Sequence, residues 1–431
     1  MTNEWPVDTL DVDSLAATGW RIKPFQQFVL KLHGRCNLAC DYCYMYQFGD
    51  QDLLAQPKVM SPALIRRSCQ RIAEHVSEHS LTRVEVGLHG GEPLLAGPAV
   101  LGFVATELRR HIPDNIVVEL AVQTNGILLT KAMLDVLLEH NIRVGVSFDG
   151  NRETHDKHRQ YRDGRGSHRQ VVDGLRLLTS ERYRSLFAGL LCVIDAEENP
   201  LSTYEALLEF APPRVDFLLP HGNWTELPPH RSERFDEAPY GRWLTTVFDR
   251  WYGVSAQETE VRLFTEIINL MLGGQSRTES VGMSPVALIT INTDGSLEQV
   301  DTLRAAYPGA PATGLNVLTN SFDDALHHPA VVARQIGVAA LAETCQRCEI
   351  RDVCGGGHYA HRYRRDSGFR NPSVYCADLT VLINHIADHV RASLSVTSGD
   401  VITSPEARCH SRPAGSPSRP PSPDGSRPVG V

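Results

Sequence analysis

Apolar and polar positions change period repeatedly along the chain, and the changes outline strand–helix pairs. FQQFVLKLH, from Phe25, alternates as a strand does. Ser61 then reads as an N-cap with Pro62 at the first helical position, and Ile65, Ile72 and Val76 recur at helical spacing. Val84, Val86 and Leu88 alternate as a second strand, and IVVELAVQ (Ile116–Gln123) reads as a third. A helix over Lys131–His140 leads into RVGVSF (Arg143–Phe148). A helix near 170–179 precedes LFAGLLCVI, and one around 203–210 precedes VDFLL, Val215–Leu219. Six strand–helix units in series predict an α/β fold with a parallel sheet and right-handed crossovers. Six units cannot close an eight-stranded barrel, so the expectation is a partial (βα)6 barrel of TIM type.

Beyond Gly273 the rhythm stops. ALITINTDGSLEQV reads as a hairpin turning at Asp294-Gly295, followed by cysteine-rich loops and a helix from about Ala377 to Ser393. The expected organisation is an extension over 1–24 packed on the main domain, a core domain over 25–273, and a smaller domain over 274–393. The tail, 394–431, is expected to be disordered, because residues 403–431 hold seven Pro, six Ser and three Gly.

Composition narrows the function. With 22% charged residues and a net charge of -9, the chain is ordinary globular protein and offers no polyanion-binding balance, so no nucleic-acid partner is expected. The longest apolar run, Leu186–Ile194, is about half of what a bilayer span of ~18–20 residues needs. The N-terminal MTNEWPVDTLDVDSL lacks a basic start and an apolar stretch, so it does not read as a signal peptide; a cytoplasmic protein with no membrane partner is expected.

The ten cysteines are unevenly spread. Cys36, Cys40 and Cys43 form a C-x3-C-x2-C loop, with Tyr42 just before the last. Cys345, Cys348, Cys354 and Cys376 form a second group, while Cys69 and Cys192 read as core residues and Cys409 falls in the tail. In a reducing compartment such clusters point to metal. Three thiolates can hold three corners of a cubane cluster and leave one iron open to a chelating amine and carboxylate; zinc with His33 as fourth ligand is the alternative. Four thiolates suit either zinc or [4Fe-4S]. The other unusual residues, Gly90-Gly91-Glu92-Pro93, Asn125-Gly126 and Ser147-Phe148-Asp149-Gly150, follow the second, third and fourth strands, where barrel enzymes build their sites. The aromatic residues around 240–252 read as core or interface packing.

The loop and its place after the first strand resemble the signature of the radical S-adenosylmethionine (SAM) superfamily. The resemblance implies a [4Fe-4S] cluster on Cys36, Cys40 and Cys43 that chelates SAM. One electron, from a donor such as flavodoxin or ferredoxin, would cleave SAM to methionine and a 5′-deoxyadenosyl radical, which takes a hydrogen atom from substrate. Tyr42, Gly90, Gly91, Glu92, Asn125, Ser147 and Asp149 would bind the cofactor, Glu92 at the methionine amine and the S-x-D-G element at the carboxylate or ribose. His155 and Arg159 are expected in a polar loop, with His155 solvated. The second group resembles an auxiliary-cluster site of SPASM domains. A full SPASM domain has seven cysteines; here His358 stands four residues after Cys354, and the hairpin carries none, which implies one auxiliary [4Fe-4S] cluster.

HGRCNLACDYCYMY, LHGGEPLLAGP, CGGGHYAHRYR and GFRNPSVYCADL resemble the FxsB-type radical SAM/SPASM peptide maturases, over about residues 25–393. That resemblance implies a ribosomal precursor peptide as substrate and a cyclophane cross-link, made when a β-carbon radical adds to an aromatic ring two positions earlier. Closing the ring releases one proton and one electron, and Asp301 is the expected base. The alternatives are another radical SAM peptide modification (side-chain oxidation as in sulfatase maturation, or epimerisation) and a non-catalytic iron–sulfur or zinc adaptor.

Overall fold

The computed structural model describes residues 5–6, 9–232 and 237–399. Residues 1–389 form one compact unit and 390–431 a second, described only to residue 399 and helical over that part. Residues 400–431, most of the expected disordered tail with Cys409, lie outside the described residues; 394–399 continue the helix Cys376–Gly399.

The first unit is built on one ten-stranded sheet. β1 (Gln27–His33), β2 (Arg83–Gly90), β3 (Val117–Thr124), β4 (Arg143–Ser147), β5 (Phe187–Val193) and β6 (Arg214–Leu218) run parallel in chain order, the six strands of the partial barrel. A two-residue strand, β7 (Glu260–Val261), extends the β6 edge. The helices form where their caps were legible. Ser61 Oγ accepts from Leu64 N at 3.2 Å, and Leu64, Ile65, Cys69, Ile72 and Val76 of the helix Pro62–Glu78 are buried. Cys192 is likewise a fully buried core residue.

The hairpin forms as β8 (Leu288–Ile291) and β9 (Ser296–Glu298), and β10 (Ala312–Asn316) adds to it antiparallel. Sequence reasoning did not place it in the main sheet. β8 pairs in parallel with β1, setting Leu30 between Leu88 on one side and Ile291 on the other. The physical reason is that β1 would otherwise present an unpaired edge.

Trp5, in the N-terminal extension, packs among Leu303, Ala333, Tyr359 and Phe369. One further expectation changes. Residues 152–158 are a helix, not a loop, because the Asn151 side chain caps it by accepting from Thr154 N at 3.1 Å. His155 is therefore fully buried rather than solvated; its ring meets Phe148 and bonds Asp149 N (3.3 Å) and Ser167 Oγ (3.0 Å). Burial drives its pKa down to about 3, so it stays neutral.

Candidate active site

The three-cysteine loop leaves β1 at its C-terminal end and is tied to a distant segment, with Ala39 N donating to Gln160 O at 2.8 Å. Leu38 N points at Cys36 Sγ (3.4 Å), and Tyr46 N and Gln47 N both donate to Cys43 O, closing a turn. Burial pushes the thiols up, Cys36 to about 11 and Cys40 to about 12. Such thiols ionise only against a strong cation, as metal binding supplies. Three thiolates on one short loop can hold three corners of a cubane iron–sulfur cluster, whereas tetrahedral zinc would need a fourth ligand such as His33.

The glycines after β2 let the loop approach. A Cβ on Gly90, which sits at φ +143°, would overlap the His33 carbonyl oxygen, and one on Gly91 would overlap the Tyr46 hydroxyl and the Arg35 carbonyl. Glu92 is buried, and its carboxylate accepts from Leu94 N (3.0 Å), Thr124 Oγ1 (2.7 Å) and Asn125 N (2.8 Å). Burial raises its pKa to about 6 despite these donors. A carboxylate offers about four acceptor positions, so one remains for an ammonium group. Asn125 lies against the loop, its Nδ2 donating to Asn37 Oδ1 at 2.8 Å and facing Cys36 Sγ at 3.7 Å. Ser147 Oγ, at the end of β4, accepts from Gln123 Nε2 at 3.0 Å.

Asp149, expected at the cofactor, also has a structural part. It is fully buried, and its carboxylate accepts from Val193 N (3.1 Å), Arg159 Nε (2.8 Å) and the Tyr42 hydroxyl. Arg159 also lies over the Tyr42 ring at 5.5 Å. Through these bonds Asp149 and Tyr42 together clamp the cysteine loop to the ends of β4 and β5. Sequence reasoning missed Arg159; its spacing from Asp149, ten residues across a turn and a helix, carries no periodic signal.

Tyr42 also lines a cavity of about 370 Å³ at the C-terminal ends of the strands, with His158, Ile194, His221, Glu226 and Tyr240. Burial lowers the His158 pKa, but the carboxylates of Asp41 (3.0 Å) and Asp195 (3.0 Å), one at each ring nitrogen, overcome this and raise it to about 9. Its protonated form therefore stabilises the fold fully below pH 6.5, and that stabilisation is lost as pH rises through about 9. With Asp41 largely exposed and screened, about 1–3 kcal/mol is at stake. Denaturant unfolding should show wild type losing that margin over His158→Gln between pH 6.5 and 9; parallel pH profiles would refute the assignment.

Asp301 lies where β1, β2 and the C-terminal segment meet. It pairs with Lys31, fully buried on β1, and faces His89 Nδ1 at 3.7 Å. Lys31 also reaches Glu298 (3.2 Å), and Arg304 joins Glu298 (2.6 Å) to Asp50 (2.9 Å). Burial opposes its charge, but Lys31, His89 and Arg304 hold the Asp301 pKa below the ordinary value. Apart from Asp301, none of this network was legible in the sequence.

The second cysteine group converges from three segments. Cys376 senses the charges of Cys345 and Cys348, and Cys354 those of Cys345 and Cys376. Gly355, Gly356 and Gly357 all take positive φ (61°, 80° and 68°), wrapping the backbone around Cys354, and Arg362 Nη2 donates to Gly355 O at 2.7 Å. His358, expected only as a missing cysteine, groups with His221 and His361, and His361 Nε2 meets His221 Nδ1 at 3.2 Å.

Residues 30–205 match the family model described as Radical SAM superfamily. The chain is 28% identical to the serine-type anaerobic sulfatase-maturating enzyme of Bacteroides thetaiotaomicron over 59% of its length, spanning 63% of that protein. It is 22% identical to the cysteine-type anaerobic sulfatase-maturating enzyme of Clostridium novyi, over 82% of this chain and 93% of that one. Among solved structures, native anSMEcpe with bound AdoMet superposes with a TM-score of 0.72 at 19% identity, covering 86% of this chain and 99% of that one. SuiB of Streptococcus suis, bound to its precursor peptide SuiA, gives 0.57 at 13% identity, covering 84% and 78%. No helix among the described residues is long and apolar enough to cross a membrane.

Proposed function

We propose that this chain, whose residues 30–205 match the Radical SAM superfamily model, is a radical SAM peptide maturase that closes a cyclophane cross-link in a ribosomal precursor peptide. One observation carries the reading: a three-cysteine loop at the end of β1 is clamped beside a 370 Å³ cavity, within the size range that takes a ligand's side chains. That SuiB binds a precursor peptide supports a peptide as the substrate. Cys36, Cys40 and Cys43 would hold the SAM-binding cluster, and Cys345, Cys348, Cys354 and Cys376 one auxiliary [4Fe-4S] cluster. When bound, these groups supply hydrogen-atom abstraction from the substrate and a sink for one electron.

The chain's own residues do the rest. Gly90 and Gly91 keep the approach to the loop clear, Glu92 has one position left for an amine, and Asn125 and Ser147 present polar groups at the strand ends. Asp301, held ionised by Lys31, takes the ring proton released on closure. We expect Asp301→Asn to cut cross-linked product at least about 100-fold, the usual scale for a lost proton acceptor. Substrate-dependent 5′-deoxyadenosine should still form, because hydrogen abstraction precedes the proton loss. Chromatography of both products checks this, and an unchanged cross-linking rate refutes the role.

The similarity to anaerobic sulfatase-maturating enzymes favours a second reading, oxidation of a single side chain. Coexpression with a precursor peptide and mass spectrometry separate the two. A cross-link removes two hydrogens, leaves a fragmentation gap and does not react with a hydrazide. A hydrazide-reactive product would overturn the cyclophane assignment in favour of side-chain oxidation.

A further inference from the structure

The helix Pro62–Glu78 carries His75, and its C-cap His79 follows one turn later on the same face. Opposite them stands Asp323, in the first turn of the helix Phe322–Leu326. His75 Nδ1 lies 3.0 Å and His79 Nε2 2.8 Å from the same oxygen, Asp323 Oδ1, and the two rings are 4.4 Å apart. His75 is 3% exposed, and neither of its ring nitrogens makes a hydrogen bond of acceptable geometry. Phe25, Phe28 and Phe322 wall it in on the apolar side. One carboxylate oxygen thus faces both imidazoles, with His75 buried behind it.

The three ligand atoms lie within 4.8 Å of one another. Zn–N and Zn–O bonds of about 2.0–2.2 Å place tetrahedral ligands about 3.4 Å apart. The observed separations need only a few tenths of an ångström of opening. His79 and Asp323 are each about a quarter exposed (27% and 26%), which gives an entry path and a water position. Asp323 supplies a carboxylate whose negative charge compensates a bound cation. The group of His221, His358 and His361 lacks such a carboxylate and has Arg334 and Arg362 nearby, which repel a cation.

We infer that His75, His79 and Asp323 form a binding site for one divalent first-row cation of the zinc class, pinning the helix Pro62–Glu78 to the helix Phe322–Leu326. The site adjoins Phe25, before the start of β1, whereas the cysteine loop leaves the other end of that strand, and the inference does not depend on the proposed function. Imidazole and carboxylate donors suit this class of ion, and His pairs at i, i+4 present both rings on one helix face.

The test uses the full chain loaded anaerobically with iron and sulfide. Zn²⁺ is titrated by calorimetry, and zinc and iron are counted after gel filtration. Wild type should hold one zinc more than either His79→Gln or Asp323→Asn, with at least tenfold tighter binding and a zinc-dependent rise in Tm that both variants lose. Zinc bound at cysteines appears equally in all three proteins and cancels. Neither variant disturbs the cap of the second helix, which Ser321 and Asp324 provide. Equal zinc content in wild type and both variants, or no zinc in wild type, overturns the site.

Discussion

Cys40→Ala should leave a folded protein that retains about four fewer irons per chain than wild type and forms no 5′-deoxyadenosine above background. The loop is held by backbone and side-chain contacts that do not involve the Cys40 sulfur: the Ala39–Gln160 bond, the turn after Cys43 and the Tyr42–Asp149 clamp. Its architecture therefore survives the change, while two thiolates cannot retain a cubane. Iron and sulfide analysis of anaerobically reconstituted protein reads the first effect, and SAM cleavage with a chemical reductant reads the second. Cys348→Ala should likewise remove about four irons but leave SAM cleavage intact, because its sulfur belongs to the other group. Loss of SAM cleavage in Cys348→Ala, or its survival in Cys40→Ala, would break the division of labour between the two cysteine groups.

Arg159→Met should destabilise the fold by about 3–5 kcal/mol, the cost of stranding a buried partner charge. Asp149 is fully buried and Arg159 nearly so. Without the guanidinium, the carboxylate keeps the Tyr42 hydroxyl and Val193 N as donors but loses its counter-charge. The remedy for the protein is to protonate Asp149, which loosens the clamp on Tyr42 and with it the cysteine loop. Adding Asp149→Asn to Arg159→Met should return most of the lost stability, because both charges are then gone. Denaturant unfolding of the two singles and the double measures the coupling. A single variant as stable as wild type would show that the pair does not brace the loop.

Much of the architecture was legible because it rests on local signals. Ser61-Pro62 marks a helix start, alternation marks β2 and β3, and Asp294-Gly295 marks the hairpin turn, at Gly295 φ +85°. The cysteine groups were legible because most of their members are spaced closely in sequence. What escaped reading depends on encounters between distant segments. Lys31 reads as the polar member of an alternating strand, yet it is fully buried because Glu298 and Asp301 arrive from β9 and the turn after it. His155 reads as a loop residue in a polar stretch and becomes core once Asn151 caps a helix around it. Asp149, legible as a strand-end carboxylate, turned out to be committed to Arg159 and Tyr42, partners that no local pattern names.

β8 sits directly against β1, although some 255 residues of chain separate them. A ribosome delivering this chain exposes β1 and its cysteine loop long before the strand that must flank it exists. Until β8 and Asp301 emerge, Lys31 has no anion, and the bare strand edge offers itself to any neighbour. Non-local pairing of this kind slows folding, and it orders events: the cluster loop cannot settle on a finished wall until the C-terminal segment has been made. A chain cut short after the sixth unit should therefore aggregate rather than fold into a smaller working barrel.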